Sequence, residues 1–241
     1  MMRSDAPAAP FDLAAFRPAA FIFDLDGTVV DNMALHAEAF AIFAERHGLP
    51  PLTPADRVKL DGRRNSEIFP ILFARELARE EWQAYEEEKE ALYREISRGR
   101  LTPVAGVTSV LARATAHAVP VTLATSAPRP NVEHTLAEIG FTRAFACIVR
   151  GDEVGRGKPA PDVFLAVAAR LGLAPSACLV FEDAPMGIAA AHAAGMPSVA
   201  LTTSFSPDAL AALDTPPDAA FATFDDFLAG GGRWLLGDPA G

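Results

Sequence analysis

The stretch that most constrains the fold is a short apolar run at residues 21–23, which ends on Asp24, Asp26 and Gly27. A strand that is apolar on both faces suits the centre of a parallel sheet buried between helices. Such a strand delivers Asp24 to the carboxyl edge of the sheet, where open α/β sheets bind ligands. Because two nearby carboxylates resist desolvation unless a cation lies between them, the stretch predicts a metal site. The alternative is a simple turn that ends the strand.

The order of apolar runs predicts an α/β protein. Each later strand pattern follows a helical stretch, and this alternation is typical of βαβ units in a doubly wound parallel sheet. Residues 32–101 show helical spacing and no strand pattern. We therefore expect a Rossmann-like core domain over residues 19–31 and 102–230, with a smaller all-helical domain, 32–101, inserted after the first strand. The later strands are expected at residues 119–124, 146–149, 178–181, 198–201 and, more weakly, 219–223.

Composition excludes several classes of partner. The chain has 241 residues, half of them hydrophobic, and a formal net charge of -10. This acidity argues against nucleic acid and against anionic membranes, which both reward clustered Lys and Arg. No apolar run reaches membrane-spanning length. Cys147 and Cys178 lie in apolar runs, which favours buried thiols over a disulfide. We expect a cytoplasmic monomer with a disordered leader, 1–18, and a C-terminal tail, 231–241.

Polar residues stand at or just beyond the carboxyl ends of four predicted strands. Because parallel strands end at one edge of their sheet, these residues should converge. Each set alone has an ordinary explanation, since such residues also cap helices or face solvent. Four coincidences at one edge are less plausible than one functional site. The sets are Asp24 with Asp26, Thr125 with Ser126, Lys158 in the loop 157–159, and Glu182 with Asp183.

These residue types suit phosphoryl transfer. A carboxylate can be the nucleophile, and the reaction needs a divalent cation and fixed hydrogen-bond donors. Oxygen ligands on Asp24 and Asp183 suit Mg²⁺ better than zinc, and the sequence shows no His/Cys cluster. Thr125 and the backbone amides near Gly27 and Ser126 can hold phosphate oxygens. Lys158 can offset the crowded negative charge, so we expect Mg²⁺ and a small phosphorylated metabolite as partners.

The four motifs resemble those of the haloacid dehalogenase-like superfamily, in the branch of β-phosphoglucomutase and many small-metabolite phosphatases. The resemblance implies that Asp24 is the nucleophile and that Asp26 is a general acid and then a general base. It also implies Mg²⁺ on Asp24, Asp183 and the carbonyl of Asp26, with Glu182 as a further ligand or as a group behind the ligands. The inserted helices resemble that branch's cap, which closes over the core and selects the substrate. The motifs lie at residues 24–28, 123–126, 157–162 and 181–185.

The inserted block gives weaker indications. His36 matches a histidine that faces the site in similar enzymes, although a lone His in an amphipathic helix is as often structural. The polar loop before the next helix carries Arg63, Arg64 and Asn65, which suit an anionic or hydroxyl-rich substrate, and solvent-facing arginines are the alternative. The charge-rich stretch 82–94 is interpreted as a solvated helix face.

We expect hydrolysis of a phosphomonoester, such as a sugar phosphate, more than isomerisation. A mutase needs cationic contacts for a distal phosphate and must exclude water. β-Phosphoglucomutase-like sequences carry an Arg at the end of the cap loop and a Thr at the first hinge, where this chain has Asn65 and Asn32. Thr28 stands where the mutase carries a small apolar residue, and this difference also mildly favours hydrolysis. A mutase stays the second hypothesis, because Arg63 or Arg64 can reach a distal phosphate.

Two other classes fit less well. A receiver-like signalling module also uses acids, a hydroxyl and a Lys around a phosphoaspartate, but it is about half this length and has no helical insert. A haloalkanoate dehalogenase attacks with an Asp but needs no Mg²⁺, and it would not need Asp26 or Asp183.

Overall fold

The computed structural model describes residues 11–237. Its centre is one six-stranded sheet in which every pairing is parallel, with strand order β3-β2-β1-β4-β5-β6. This confirms the predicted doubly wound α/β fold. The strands are β1 (Ala20–Phe23), β2 (Val121–Thr125), β3 (Cys147–Arg150), β4 (Cys178–Glu182), β5 (Ser198–Leu201) and β6 (Ala219–Phe221).

Helices connect the strands and cover both faces of the sheet. The first four form the inserted block: α1 (Met33–Arg46), α2 (Pro54–Leu60), α3 (Asn65–Leu72) and α4 (Arg79–Ser97). The others are α5 (Val107–Ala116), α6 (Arg129–Glu138), α7 (Asp162–Leu171), α8 (Pro185–Ala193), α9 (Pro207–Ala211) and α10 (Phe224–Ala229). None of the helices within residues 11–237 combines the length and hydropathy needed to cross a bilayer.

β1 lies at the centre because both of its faces are apolar. Phe21 and Phe23 pack into the hydrophobic cluster on one face, which also contains residues of α5 and α10. Ala20 and Ile22 pack into the cluster on the other face, against α7 and α8. All four residues are fully buried, as the alternation of side chains along a strand requires. Asp24, the next residue, therefore emerges at the middle of the carboxyl edge.

The inserted helices α1–α4 bury a hydrophobic cluster of their own. Its fully buried members include Phe43 on α1, Phe69 on α3 and Tyr93 on α4. The charge-rich stretch 82–94 lies within α4, and its interpretation as a solvated face is wrong for part of that helix. Lys89 is 2% exposed and Glu90 4%.

A row of polar contacts, here called the α4–α6 seam, joins the inserted block to the core. Arg94 donates to Asn131 Oδ1 at 2.9 Å, and Asn131 Nδ2 donates to Glu90 Oε2 at 2.5 Å. Further along, Ser97 Oγ lies 2.9 Å from His134 Nε2. The seam runs along one face of each helix, so it fixes how α4 lies against the core.

The two expected terminal segments are partly folded. Residues 1–10 of the expected leader and 238–241 of the expected tail lie outside the described residues. Within the described part, the expectation of a disordered leader over 1–18 is wrong for residues 11–18, because Leu13 and Phe16 pack against the core cluster. The tail also joins the core, since Leu235 is fully buried and Trp234 packs against the same cluster.

Candidate active site

The floor of the site is a buried ion cluster around Asp24. Lys158 Nζ donates to Asp24 Oδ1 at 2.5 Å, to Glu182 Oε1 at 2.6 Å and to the Ala124 carbonyl at 3.2 Å. Lys158 is 1% exposed, so this arrangement excludes water from the ammonium. One lysine thus donates to groups from three strands: Asp24 just after β1, Ala124 on β2 and Glu182 on β4. The Oδ2 atom of Asp24 accepts no hydrogen bond from residues 11–237, and Asp24 lines the cavity above.

The turn after β1 brings Asp183 against the cluster. Gly27 has φ +80, and a side chain there would overlap the Asp183 carboxylate, so only glycine fits. Thr28 Oγ1 donates to Asp183 Oδ1 at 3.2 Å, and Ser204 Oγ donates to Asp183 Oδ2. The turn and the loop after β5 therefore orient the Asp183 carboxylate.

The charge of this cluster fits a divalent cation. Oxygen atoms of Asp24, Glu182 and Asp183 lie within 4.8 Å of one another, and all three residues are buried. Burial, opposed by Lys158, raises the pKa of Asp24 to about 7, and burial beside Glu182 and Asp24 raises the pKa of Asp183 well above its ordinary value. The cluster thus contains three carboxyl groups and one ammonium, and the ammonium bonds Asp24 and Glu182. An all-oxygen donor set with this deficit of positive charge suits Mg²⁺.

Glu182 supports the site from behind. Its Oε1 accepts from Lys158, and its Oε2 accepts the backbone N–H groups of Asp183 and Ala184 at 2.9 and 3.0 Å. A side chain at Gly187 would overlap this carboxylate, so α8 needs a glycine at that position. Both oxygens of Glu182 are engaged within the protein, which favours a role in holding Lys158 over direct ligation.

Asp26 is held by a separate set of groups. Asn32 Nδ2 donates to Asp26 Oδ1 at 2.6 Å, and Asn32 Oδ1 accepts the Gly27 N–H at 3.1 Å. His36 Nε2 lies 3.4 Å from Asp26 Oδ1. Burial acts to raise the pKa of Asp26, but His36, Asn32 and Lys89 together hold that pKa below its ordinary value. Two carboxylates one residue apart therefore have opposite environments, which suits two different roles.

Lys89 and Glu90 are functional candidates that sequence analysis missed. Lys89 Nζ lies 3.0 Å from His36 Nδ1 and donates to Glu90 Oε1 at 2.9 Å. An ammonium can only donate, so Nδ1 accepts and the proton of a neutral His36 ring lies on Nε2. That Nε2 is buried, faces Asp26 and has no hydrogen-bond partner within residues 11–237. The spacing of Lys89 four residues from Tyr85 and from Tyr93 was the available signal, because it places Lys89 on the buried side of α4.

Thr125 and Ser126 border the same cavity at the end of β2. Thr125 is 1% exposed, and its Oγ1 accepts the Ala127 N–H at 3.0 Å. Ser126 Oγ donates to the Gly62 carbonyl at 2.7 Å, so the inserted loop 61–65 touches the core beside the site. The structure therefore encloses the site between the sheet edge and the inserted helices.

The cavity has a volume of about 190 Å³. Of the side chains predicted to bind substrate, His36, Arg63, Asn65 and Ser126 line it. The Asn65 amide Nδ2 donates to Glu90 Oε1 at 2.7 Å and to Glu86 Oε1 at 3.2 Å. Gly27 lies outside the lining, against Asp183.

Arg64 points away from the cavity and toward the core. Its Nη1 donates to the Gly151 carbonyl at 3.1 Å, and its Nη2 donates to Glu67 Oε1 at 2.9 Å. The prediction that Arg64 contacts substrate therefore has no support from its position. Arg64 instead joins the inserted loop to the segment after β3.

The fold and the site define a class: an α/β enzyme whose buried carboxylates meet at the sheet edge beneath a helical insert. The chain matches the family profile of the haloacid dehalogenase-like hydrolases over residues 21–201. It belongs to this family, as the resemblance of its four motifs implied.

Two curated relatives that the chain covers over most of their length are named as phosphatases. The chain is 33% identical to the fructose-1-phosphate phosphatase YqaB of Escherichia coli (strain K12), with 76% of this chain and 96% of that protein covered. It is 32% identical to the validoxylamine A 7'-phosphate phosphatase of Streptomyces hygroscopicus subsp. limoneus, with 80% of this chain and 90% of that protein covered.

Solved structures show the same fold. A HAD hydrolase from Entamoeba histolytica superposes with a TM-score of 0.78 at 27% identity, covering 90% of this chain and 99% of the other. A β-phosphoglucomutase from Clostridium difficile gives a TM-score of 0.76 at 22% identity, covering 92% and 100%. The second similarity shows the fold alone.

Proposed function

We propose that this protein is a Mg²⁺-dependent phosphatase that hydrolyses a small phosphomonoester, such as a sugar phosphate, through an aspartyl-phosphate on Asp24. The observation that carries the proposal is the pair of carboxylates in opposite environments at the end of β1. Asp24 has one oxygen held by Lys158 and the other free toward the cavity. Asp26 faces the same cavity from a separate hydrogen-bonded position. The phosphatase names of the relatives support the same activity.

Asp24 is the proposed nucleophile. Its free oxygen attacks phosphorus, and the bond from phosphorus to the leaving oxygen breaks. Lys158 favours the ionised form of the attacking carboxylate and fixes its plane, because the ammonium contacts Oδ1 at 2.5 Å. Thr125 and the backbone N–H groups near Ser126 are proposed to hold the phosphate oxygens.

Asp24 and Asp183 are the proposed side-chain ligands of Mg²⁺, with the carbonyl of Asp26 and with Glu182 behind them. The bound cation would neutralise phosphate charge during transfer.

Asp26 is the proposed acid and base. In this role Asp26 enters the first step protonated and gives that proton to the leaving alcohol. The lowered pKa of its carboxyl suits the second step, in which the carboxylate takes a proton from the water that attacks the phosphoenzyme. Asn32 fixes the carboxylate, and His36 Nε2 lies 3.4 Å from the same oxygen. Since Lys89 holds the other ring nitrogen, His36 can donate from Nε2 without losing its orientation.

The cavity favours a single phosphate group over two. Arg57 donates to Asp61 Oδ2 at 2.8 Å, and Lys89 is paired with Glu90. Arg63 donates to the Lys59 carbonyl at 2.8 Å. Each Lys or Arg that lines the cavity thus already has a partner, and a distal phosphate would have to share that cation with it. This supports hydrolysis over a β-phosphoglucomutase-type reaction, which stays the second hypothesis through Arg63.

The test is a screen of phosphorylated metabolites with Mg²⁺ that follows phosphate release. We expect release to stop with EDTA, to return with Mg²⁺ and to be absent in Asp24→Asn. The chain should also be given β-glucose 1-phosphate with and without glucose 1,6-bisphosphate. Isomerisation that depends on the bisphosphate and outruns phosphate release would replace the phosphatase proposal with the mutase.

Residues 32–101 are proposed to act as a cap domain over the core, because α1–α4 bury a cluster of their own and cover the site. The monomeric state, the cytoplasmic location and the absence of nucleic-acid and membrane partners stay predictions. The two free thiols, Cys147 and Cys178, are consistent with a reducing compartment.

A further inference from the structure

One side of the active-site cavity is apolar. α1 contributes four apolar residues that line the cavity with spacings of three or four positions, which places them on one helix face. Phe40 lies about one turn beyond His36, which is about 6 Å further along the helix axis. The loop after α1 extends this wall. The apolar residues of the wall are Met33, Ala37, Phe40, Ala41, Pro51 and Leu52.

A second cavity of about 160 Å³ adjoins the apolar wall. The two cavities share Phe40, Pro51, Leu52 and Leu60. The second one adds mostly aliphatic and aromatic side chains, and its charged lining residues are Asp56 and Lys59. Asp56 is engaged by Thr53 in the cap of α2. Space for an apolar group therefore extends away from the site along α1.

The charged groups nearest this wall pair with one another. Arg57 and Asp61 bond each other, and Lys89 bonds Glu90 while its ammonium lies 4.3 Å from the Phe40 ring centroid. A hydroxyl placed against the apolar side chains of the wall would lose its water without gaining a partner from them. An apolar group placed there would lose nothing.

We propose that the leaving alcohol of the substrate carries an apolar distal end, an alkyl or aromatic group, which occupies the subsite formed by α1 and residues 51–52. The phosphate ester at the other end reaches Asp24. This inference rests on the proposed phosphatase function and narrows its substrate class to phosphomonoesters with one apolar end.

The experiment compares kcat/KM for methyl, butyl and hexyl phosphate with kcat/KM for glucose 6-phosphate and sorbitol 6-phosphate, all with Mg²⁺. We expect kcat/KM to rise by about fourfold for each methylene that becomes buried, and hexyl phosphate to exceed both polyol esters. Leu52→Asn should reduce the hexyl-to-methyl ratio about tenfold. Val58→Asn is the matched control, because Val58 is exposed on α2 and lines neither cavity.

The outcomes separate the two proposals. A flat alkyl series, or a hexyl-to-methyl ratio that Leu52→Asn leaves unchanged, would overturn the apolar subsite while polyol phosphate turnover upheld the phosphatase. If no ester of either kind released phosphate, the proposed function would be overturned together with this inference.

Discussion

Arg64 gives a sharp test of how the inserted loop is held on the core. Its guanidinium reaches the Gly151 carbonyl, and its side chain is 21% exposed. Gly157 provides the necessary space, since a Cβ there would lie 2.6 Å from Arg64 Nε and 2.8 Å from Glu67 Oε1. We expect Arg64→Ala to loosen the loop 61–65 and Gly157→Ala to expel the same guanidinium.

The magnitude follows from one charge-assisted hydrogen bond to a carbonyl. Such a bond is worth about 1.5–3 kcal/mol when buried, and partial exposure of Arg64 reduces this to about 1 kcal/mol. The equilibrium constant for holding the loop 61–65 on the core should therefore fall about fivefold, and kcat/KM should fall by the same factor.

The assay is a double-mutant cycle on kcat/KM, together with amide hydrogen exchange of residues 61–65. Because both substitutions remove one contact, the double variant should lose little more than Arg64→Ala alone, with a coupling of about 1 kcal/mol. Arg156→Ala is the control, since the Arg156 side chain is 72% exposed and, within residues 11–237, bonds only Asp162. Fully additive losses, or unchanged exchange in Arg64→Ala, would refute the reasoning.

Three further predictions concern the site. Lys89→Met should lower kcat about tenfold with KM little changed, because His36 loses the donor at Nδ1. Lys89→Arg should restore part of kcat. An effect on KM alone in steady-state kinetics would contradict this. Glu90→Gln should lower the free energy of unfolding, measured by urea denaturation, by about 3 kcal/mol, since it leaves the buried Lys89 ammonium without its carboxylate. Glu87→Gln, at an exposed position, should change it by less than about 0.5 kcal/mol. Gly27→Ala should abolish turnover and lower Tm, and normal activity in that variant would show that the turn after β1 tolerates a side chain.

The core of the fold could be predicted because each local pattern agrees with the global one. The complete burial of β1 follows from its apolar run, and the place of the polar residues after each strand follows from their position in the sequence. A single sequence displays both. Strand ends moved by one or two residues: β6 stops at Phe221, two residues before its predicted end. Such shifts arise because hydrogen bonding to the neighbouring strand, which the sequence does not display, decides where pairing ends.

The inserted helices were harder to interpret for a physical reason. Lys89 and Glu90 neutralise each other within a buried network, so their charge suggests solvent while their helix position places them inside. Arg63 and Arg64 are adjacent in a polar loop, yet Arg63 lines the cavity and Arg64 bonds the Gly151 carbonyl. Which of two neighbouring arginines turns inward depends on the space left by distant glycines, and no local pattern records that.

The central place of β1 also sets an order of assembly. Phe21 pairs with Val121 on one side and with Leu179 on the other, so neither neighbour exists when β1 leaves the ribosome. At ordinary rates of translation, the interval before β4 is made lasts roughly 10–30 s. The cluster of Phe43, Phe69 and Tyr93 is complete within that interval. The inserted helices can therefore collapse first, and the chain stays vulnerable to aggregation through β1 until residue 182 has been made.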